Sequence, residues 1–415
     1  MKPCNLSTKA LFLIPAIFGY IGQSCAEDSN TIPTMKVLWQ KEVTADANLD
    51  CSLGQIALDK TNERLLIAGT SFRPKVYSEG KLWLMEVDTN SGDIAKKTTV
   101  RKVAESKATI MLASSLIKGL VVSEHNDISL IGKFDSSTQS IMKVNRQGNV
   151  NNPIEFIEKN NREKESILVL NRITLPGDNF LLIGRDEDGN GVAMKIGPDG
   201  IKLWEKTYKV GQGQTDLFSD GSSIGNDGDF IIVGCSANVS SKPRALGQSD
   251  DFILQCDSQG NILKREFFSA GSGWPNKLPQ ICQINGGNLL IVYDKDTRFA
   301  ASDIIMRAYS SDLRLLWEKE VLKSESIVLF KITPVKENGF VLVAKVVSGD
   351  LKVHQYDGKG NQIAGIAIDS KDYLIVSSPS IAWVNNNVFV VAQGVPEGEK
   401  GSEVSKIKII ALELK

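Results

Sequence analysis

The sequence predicts an all-β fold, a seven-bladed β-propeller with four antiparallel strands in each blade. A run of apolar residues that ends in Gly or another small residue occurs seven times, and a shorter apolar run follows it each time. Equivalent turns after the second run recur about every 50 residues, a period that suits four short strands with their loops. An N-terminal segment supplies the one strand that the last repeat lacks.

The repeated runs have the composition of strands. They are short, rich in β-branched residues and bounded by Gly, Asn and Asp. The first run of each repeat reads ERLLIAG, DISLIGK, DNFLLIG, GDFIIVG, GNLLIVY, NGFVLVA and NVFVVAQ. The second reads KLWLMEV, SIMKVN, GVAMKI, DFILQC, DIIMRAY, LKVHQY and KIKIIAL. Since strands and turn residues alternate along the whole chain, we expect no helical domain.

A tight turn follows the second run and reads CDSQGNI at 256–262. Gly reaches positive φ without a clash at Cβ, and nearby Asp and Asn side chains hydrogen-bond the backbone of such turns. We interpret this turn as the connection between the third and fourth strands of a blade, so its recurrence is architectural. The aligned positions are Gly92, Gly148, Gly200, Gly260, Leu313 and Gly360.

The two ends of the chain complement each other. The seventh repeat stops at its third strand, KIKIIALELK, whereas KVLWQKEV from Lys36 resembles the fourth strands IKLWEKTY at Ile201 and RLLWEKEV at Arg314. We predict that the N-terminal strand joins three C-terminal strands to close the last blade, because closure removes exposed sheet edges. The propeller is then one domain, 36–415, after a short linker, 27–35.

The first residues have the pattern of a signal peptide, 1–26. Two lysines precede an apolar run of about 13 residues, which is short for a bilayer span of about 20, and Ser24 and Ala26 are the small residues before the expected cleavage point. We expect a periplasmic or secreted bacterial protein without a transmembrane segment after cleavage. A permanent anchor and a lipid anchor at Cys25 are the alternatives.

Charge and cysteine content narrow the function classes. The chain carries 48 basic and 49 acidic side chains, which argues against a nucleic-acid partner. Disulfides and buried free thiols both remain open for the cysteines of the expected mature chain, and no CxxC motif is present. These cysteines are Cys51, Cys235, Cys256 and Cys282.

The stretch DEDGNG begins like a calcium loop, with Asp186, Asp188 and Asn190 as candidate ligands. An EF-hand needs a Glu at the twelfth position, which is Gly197, and a shorter calcium loop would need a carboxylate at Met194. We therefore favour a hairpin turn between the second and third strands, with weak calcium binding as the alternative.

The stretch DGIKLWEKTY resembles the G-x-x-x-W repeat of bacterial exported quinoprotein-like β-propellers. Gly200 and Trp204 give the full match, and Trp39 and Trp317 lack the Gly. The resemblance implies that these tryptophans pack between blades. It also implies pyrroloquinoline quinone as a cofactor to consider, although we predict none, and the vicinal cysteine pair of several such dehydrogenases is absent.

The remaining candidate site is the face where the loops between second and third strands open. Several of these loops are long, and they carry residue types that are enriched in binding hot spots. We expect a non-catalytic binding or scaffold propeller that recognises a protein, peptide or glycan of the cell envelope through this face. The alternative is an enzyme, such as a quinoprotein-like oxidoreductase, with its site at a channel mouth. The candidate binding residues are Arg73, Tyr77, Arg244, Trp274, Arg298 and Phe299.

Overall fold

The structure is a computed structural model. It divides into Met1–Ile32, of which only Ile32 is described, and Pro33–Lys415, which contains all of the architecture given below. The described residues are 32–44, 50–59, 61–73, 76–104, 117–122, 128–133, 139–145, 147, 149–150, 154–155, 168–211, 215–237, 249–269, 278–296, 302–325, 327–335, 339–369, 373–375, 379–396 and 406–415.

Among the described residues, 29 strands account for almost all regular structure, together with one short 3₁₀ turn at Asn285–Gly287. The strands are β1 (Lys36–Val43), β2 (Asp50–Asp59), β3 (Arg64–Arg73), β4 (Val76–Asp88), β5 (Ile94–Ala104), β6 (Ile117–Val122), β7 (Ile128–Lys133), β8 (Gln139–Val144), β9 (Ile154–Glu155), β10 (Leu168–Leu175), β11 (Asn179–Arg185), β12 (Gly191–Ile196), β13 (Lys202–Tyr208), β14 (Thr215–Ile224), β15 (Asp229–Ala237), β16 (Ser249–Cys256), β17 (Ile262–Ser269), β18 (Gln280–Ile284), β19 (Asn288–Asp296), β20 (Ser302–Tyr309), β21 (Leu315–Glu325), β22 (Ile327–Val335), β23 (Gly339–Val346), β24 (Leu351–Tyr356), β25 (Gln362–Ile368), β26 (Tyr373–Ile375), β27 (Ser380–Val384), β28 (Asn387–Pro396) and β29 (Lys406–Glu413).

These strands form seven antiparallel sheets in the described part of the chain, which confirms the predicted seven-bladed propeller. Six blades follow the chain in groups of four, from β2-β3-β4-β5 to β22-β23-β24-β25. In the seventh, β26 and β27 share the innermost place beside β28. The first strands of neighbouring blades contact one another in a closed cycle, so they surround a central channel.

The N-terminal strand closes the ring as predicted. Strand β1 pairs antiparallel with β29 from Lys36 opposite Glu413 to Val43 opposite Ile407, and so becomes the outer strand of the seventh blade. The pairing covers the edge of β29 that would otherwise present unpaired backbone groups.

The apolar cores lie between blades. One cluster joins Leu65 of the first blade to Phe389 of the seventh, and another joins Leu181 of the third blade to Phe230 of the fourth. The middle strands bury both faces, which explains why their sequences are continuously apolar rather than alternating. Each blade is therefore held by packing against its two neighbours.

The recurrent turn has the predicted geometry. The backbone N–H groups of Gln259 and Asn261 donate to Asp257 Oδ1 at 2.9 and 2.8 Å, and Asn261 Nδ2 donates to Oδ2 at 2.7 Å. The hydrogen bonds from Asn261 lower the pKa of Asp257. Gly260 has a φ of 76°, and Leu313 adopts φ 61° at the equivalent position, although it is not a glycine.

Tryptophans of three outer strands pack against the turns of the following blades and donate hydrogen bonds to them, which confirms the expected packing between blades. Two residues after each tryptophan, a lysine donates to the residue that follows the turn glycine. The indole Nε1 donors and their carbonyl acceptors are Trp39 and Thr89 at 3.1 Å, Trp204 and Ser258 at 3.3 Å, and Trp317 and Gly358 at 3.2 Å.

Candidate functional site: the central channel

One position of the innermost strand is equivalent in all seven blades. In each blade it pairs with the residue at the fourth position of the apolar run of the second strand, so the seven positions lie at one level of the channel. The pairs are Gln55 with Ala68, Gly119 with Ile131, Asn171 with Ile183, Asp220 with Val233, Gln280 with Val292, Lys331 with Val343, and Ser380 with Val391. We call these seven first-strand residues the channel ring. Six of them are polar.

Four of the seven ring positions directly follow an irregularity in the strand. The register between the first and second strands shifts directly before Gln55, Gly119, Asn171 and Asp220. A bulge of this kind re-aims the side chains that follow it, and bulges are common beside binding sites. The sequence period alone does not show where such a shift occurs.

Hydrogen bonds join the ring residues of the third and fourth blades. Asn171 Nδ2 donates to Asp220 Oδ1 at 2.9 Å and to the carbonyl oxygen of Ser219 at 3.1 Å. The backbone N–H of Gly221 donates to the same Oδ1 at 2.9 Å, and that of Ile281 donates to Oδ2 at 3.1 Å. Asp220 therefore connects three successive blades, and both of its oxygens are occupied.

Lys331 continues this network from the sixth blade. Its ammonium group donates to Gln280 Oε1 of the fifth blade at 2.9 Å. Burial raises the pKa of Asp220 above its usual value, and the charge of Lys331 and the two backbone donors oppose that shift. The ring thus combines an acid that burial drives toward its neutral form with a lysine and three side-chain amides, those of Gln55, Asn171 and Gln280.

Arg172 fills the place that the glycine of the ring leaves open. A Cβ at Gly119 would lie 2.5 Å from Arg172 Cδ, so only glycine leaves room for this side chain. The guanidinium donates to the carbonyl oxygen of Leu120 and, at 3.1 Å, to Thr174 Oγ1. Burial lowers the pKa of Arg172 to about 10, which leaves the side chain charged at neutral pH.

These residues line a cavity of about 510 Å³ in the channel. Its described lining comes from six blades and is mainly polar, and it extends from the ring toward the turns between first and second strands. The volume is typical of small-molecule sites, which span about 300–1,000 Å³. The hydroxyl groups in the lining belong to Thr174, Ser222, Ser223, Thr333 and Ser380.

The residues predicted for the loop-rich face are not tested by the structure. Arg73 lies at the end of β3 and Tyr77 lies in β4, but their side chains are outside the described set. Arg244, Trp274, Arg298 and Phe299 lie wholly outside the described residues. Their role in binding stays a prediction.

The DEDGNG stretch forms the turn between β11 and β12. Asn190 donates its backbone N–H to Asp186 Oδ1 at 2.8 Å and its side-chain Nδ2 to Oδ2 at 2.9 Å. Gly189 has a φ of 83°. Both Asp186 oxygens thus stabilise the turn, and Asp188 is exposed. Across the described residues, no group of three or more His, Cys, Asp or Glu is arranged to hold a metal ion.

The four cysteines of the propeller are buried free thiols, which resolves the open choice between disulfides and thiols. Burial raises the pKa of Cys282, which lines the cavity, as it does for Cys235 and Cys256. Raised pKa values leave little reactive thiolate. Within the described ranges, no helix is long and apolar enough to cross a membrane.

The sequence prediction missed the channel ring. Its residues differ in every blade except for the two glutamines, so they form no motif, and each sits alone in a different repeat. Their position in the strand was a usable signal. Aligning each innermost strand on the fourth position of the apolar run in the next strand places the polar residues in one column.

The chain matches no family model and no curated protein sequence. Solved structures with a similar fold include the polysaccharide lyase Uly1, with 10% identity over 92% of this chain and 100% of that chain and a TM-score of 0.57. BBS1N in its complex with ARL6DN gives 7% identity, 92% and 98% coverage and a TM-score of 0.51. The BP39L lectin from Burkholderia pseudomallei gives 11% identity over 79% of this chain and 100% of that chain, with a TM-score of 0.49. At such identities the similarity shows the propeller fold alone, and quinoprotein-like membership stays a prediction.

Proposed function

We propose that this protein is a binding propeller that holds a small, hydroxyl-rich polar ligand, such as one unit of a glycan, in its central channel. The observation that carries the proposal is the polar cavity of about 510 Å³, to which six blades contribute side chains. Amides, hydroxyls and charged groups at one level can hydrogen-bond several hydroxyls of one ligand at once. We place the site in the channel rather than on the loop-rich face expected from the sequence. The cavity is lined by described side chains, whereas the side chains of the loop-face candidates are outside the described set.

The chemistry of the lining favours binding over catalysis. A general acid or base must reach the proton that it transfers, yet both oxygens of Asp220 already accept hydrogen bonds from protein groups. The thiol of Cys282 has a raised pKa and is a poor nucleophile. An enzyme at the channel mouth remains the second candidate, and pyrroloquinoline quinone and calcium remain its test ligands.

Thermal unfolding in the presence of a sugar panel tests the proposal, because a ligand that binds only the folded protein raises the melting temperature. The panel contains neutral monosaccharides, acidic monosaccharides and short oligosaccharides, with pyrroloquinoline quinone and calcium as separate arms. We expect at least one sugar to raise the melting temperature of the wild type but not that of Gln55→Leu. Asn62→Leu, in an exposed turn, is the matched control. A panel without any shift, or a shift that survives Gln55→Leu, Lys331→Met and Arg172→Met alike, overturns the proposal.

Export is part of the proposal. The short apolar run and the small residues Ser24 and Ala26 support a cleaved signal peptide, which would bring the propeller to glycans of the cell envelope. Cell fractionation with N-terminal sequencing tests this point. A mature N-terminus at Glu27 in the periplasm or medium supports export, and an intact Met1 in the cytosol overturns it.

A further inference from the structure

The described lining of the cavity carries an excess of positive charge. It contains two cations, Arg172 and Lys331, and one carboxylate, Asp220. Even with Asp220 ionised, one positive charge has no counter-charge in this lining. A charge in an enclosed site is costly unless an opposite charge accompanies it.

Asp220 can offset at most one of the two cations. Its two oxygens accept hydrogen bonds from Asn171 and from the backbone of Gly221 and Ile281, so neutral donors occupy it. Burial also favours its protonated form. The carboxylate is therefore committed to joining blades.

Each cation is held in place by neutral acceptors. Lys331 gives one of its three ammonium hydrogens to Gln280 Oε1. Arg172 donates to a backbone carbonyl and a hydroxyl, and the space that it needs depends on the glycine at position 119. Acceptors of this kind orient a cation without cancelling its charge, so both remain able to attract an anion.

We infer that the ligand of the central channel is a small hydroxylated organic anion whose negative group is attracted by the cations of the lining, Lys331 and Arg172. The negative group is a carboxylate or a phosphate, and the amides and hydroxyls of the lining bind the rest of the molecule. The inference rests on the proposed function and adds the charge of the ligand to it.

Calorimetric titration of the full propeller with glucose, glucuronate, glucose 6-phosphate and inorganic phosphate tests the inference. We expect one of the two hydroxylated anions to bind about tenfold or more tightly than glucose, because a charge-assisted hydrogen bond is stronger than a neutral one. Comparison of the glucuronate and phosphate arms identifies the negative group. Inorganic phosphate alone should bind weakly, since it lacks the hydroxylated part.

Lys331→Met keeps the apolar stem and removes the charge, so we expect it to weaken anion binding about tenfold more than it weakens glucose binding. Lys359→Met, in an exposed turn, is the matched control and should change nothing. Should Lys331→Met fail to fold, Gln280→Glu supplies an anion beside Lys331 and should also weaken anion binding. Equal affinity for glucose and both anions overturns the inference but leaves the proposed function intact. No binding of any sugar in the wild type overturns both.

Discussion

Substitution of Gly260 by Ala should destabilise the propeller through close contacts with the preceding blade. A Cβ at this position would lie 2.9 Å from Trp204 Cη2 and 2.9 Å from Tyr208 Oη. Trp204 is fixed by its hydrogen bond to Ser258 and by stacking on Phe230, at 6.0 Å between ring centroids. The tryptophan therefore cannot move away without loss of these contacts.

The magnitude has two parts. An alanine at φ 76° costs about 1–2 kcal/mol because its Cβ approaches the following carbonyl. Overpacking against a rigid neighbour adds about 1–3 kcal/mol. For the roughly 380 residues of the propeller, the unfolding entropy is about 0.8 kcal/mol per kelvin. Gly260→Ala should then lower the melting temperature by about 3–6 °C.

Gly225 provides the matched control because it has a φ of 59° and a Cβ added there would meet no atom within 4 Å. Gly225→Ala should cost the conformational part alone, about 1–2 °C. Differential scanning calorimetry of both variants, alone and in combination with Trp204→Ala, measures the difference. If both glycine variants shift the melting temperature equally, or if Trp204→Ala relieves none of the excess at Gly260, the packing of Trp204 against the turn does not explain the need for glycine.

Three further outcomes are expected. Asp251→Asn should stabilise the protein more at pH 8 than at pH 4. Burial and the charges of Asp294 and Asp250 raise the pKa of Asp251, so this residue costs the wild type stability as the pH rises above the ordinary value of 3.8. Thermal unfolding at both pH values should show that the variant lacks this loss. The four buried thiols should react with a thiol reagent only in denaturant, and rapid labelling of the native protein would contradict this. Deletion of residues 33–43 should expose the edge of β29 and cause aggregation in size-exclusion chromatography; a stable monomer would show that closure is dispensable.

The blades were predictable because their signal repeats. Seven apolar runs and a turn with a glycine at positive φ average out local ambiguity, and the resemblance of KVLW at β1 to RLLW at β21 identified the closing strand. The packing of the tryptophans between blades was expected from the resemblance to quinoprotein-like propellers rather than from the repeat itself. The turn at Leu313 shows that position within the repeat can predict a conformation even where the residue type does not favour it.

The channel ring was not predictable in the same way. Its residues come from seven separate strands, and in four of these strands a register shift directly precedes the ring residue. The two cations of the cavity do not share one position in the repeat. Lys331 is itself a ring residue, whereas Arg172 directly follows the ring residue Asn171. These side chains meet only when the blades close into a ring, so no single repeat of the sequence carries a motif for the site.

The pairing of β1 with β29 also imposes an order on biosynthesis. In this chain β1 is translated before every other strand of the propeller, and its partner is translated after all of them. The seventh blade is therefore incomplete until β29 has been translated, and a nascent chain that stalls before β29 leaves β1 without its partner. Such long-range pairing makes the final step slow compared with the folding of single hairpins. Completion of the ring thus requires that every strand from β1 to β29 has been translated.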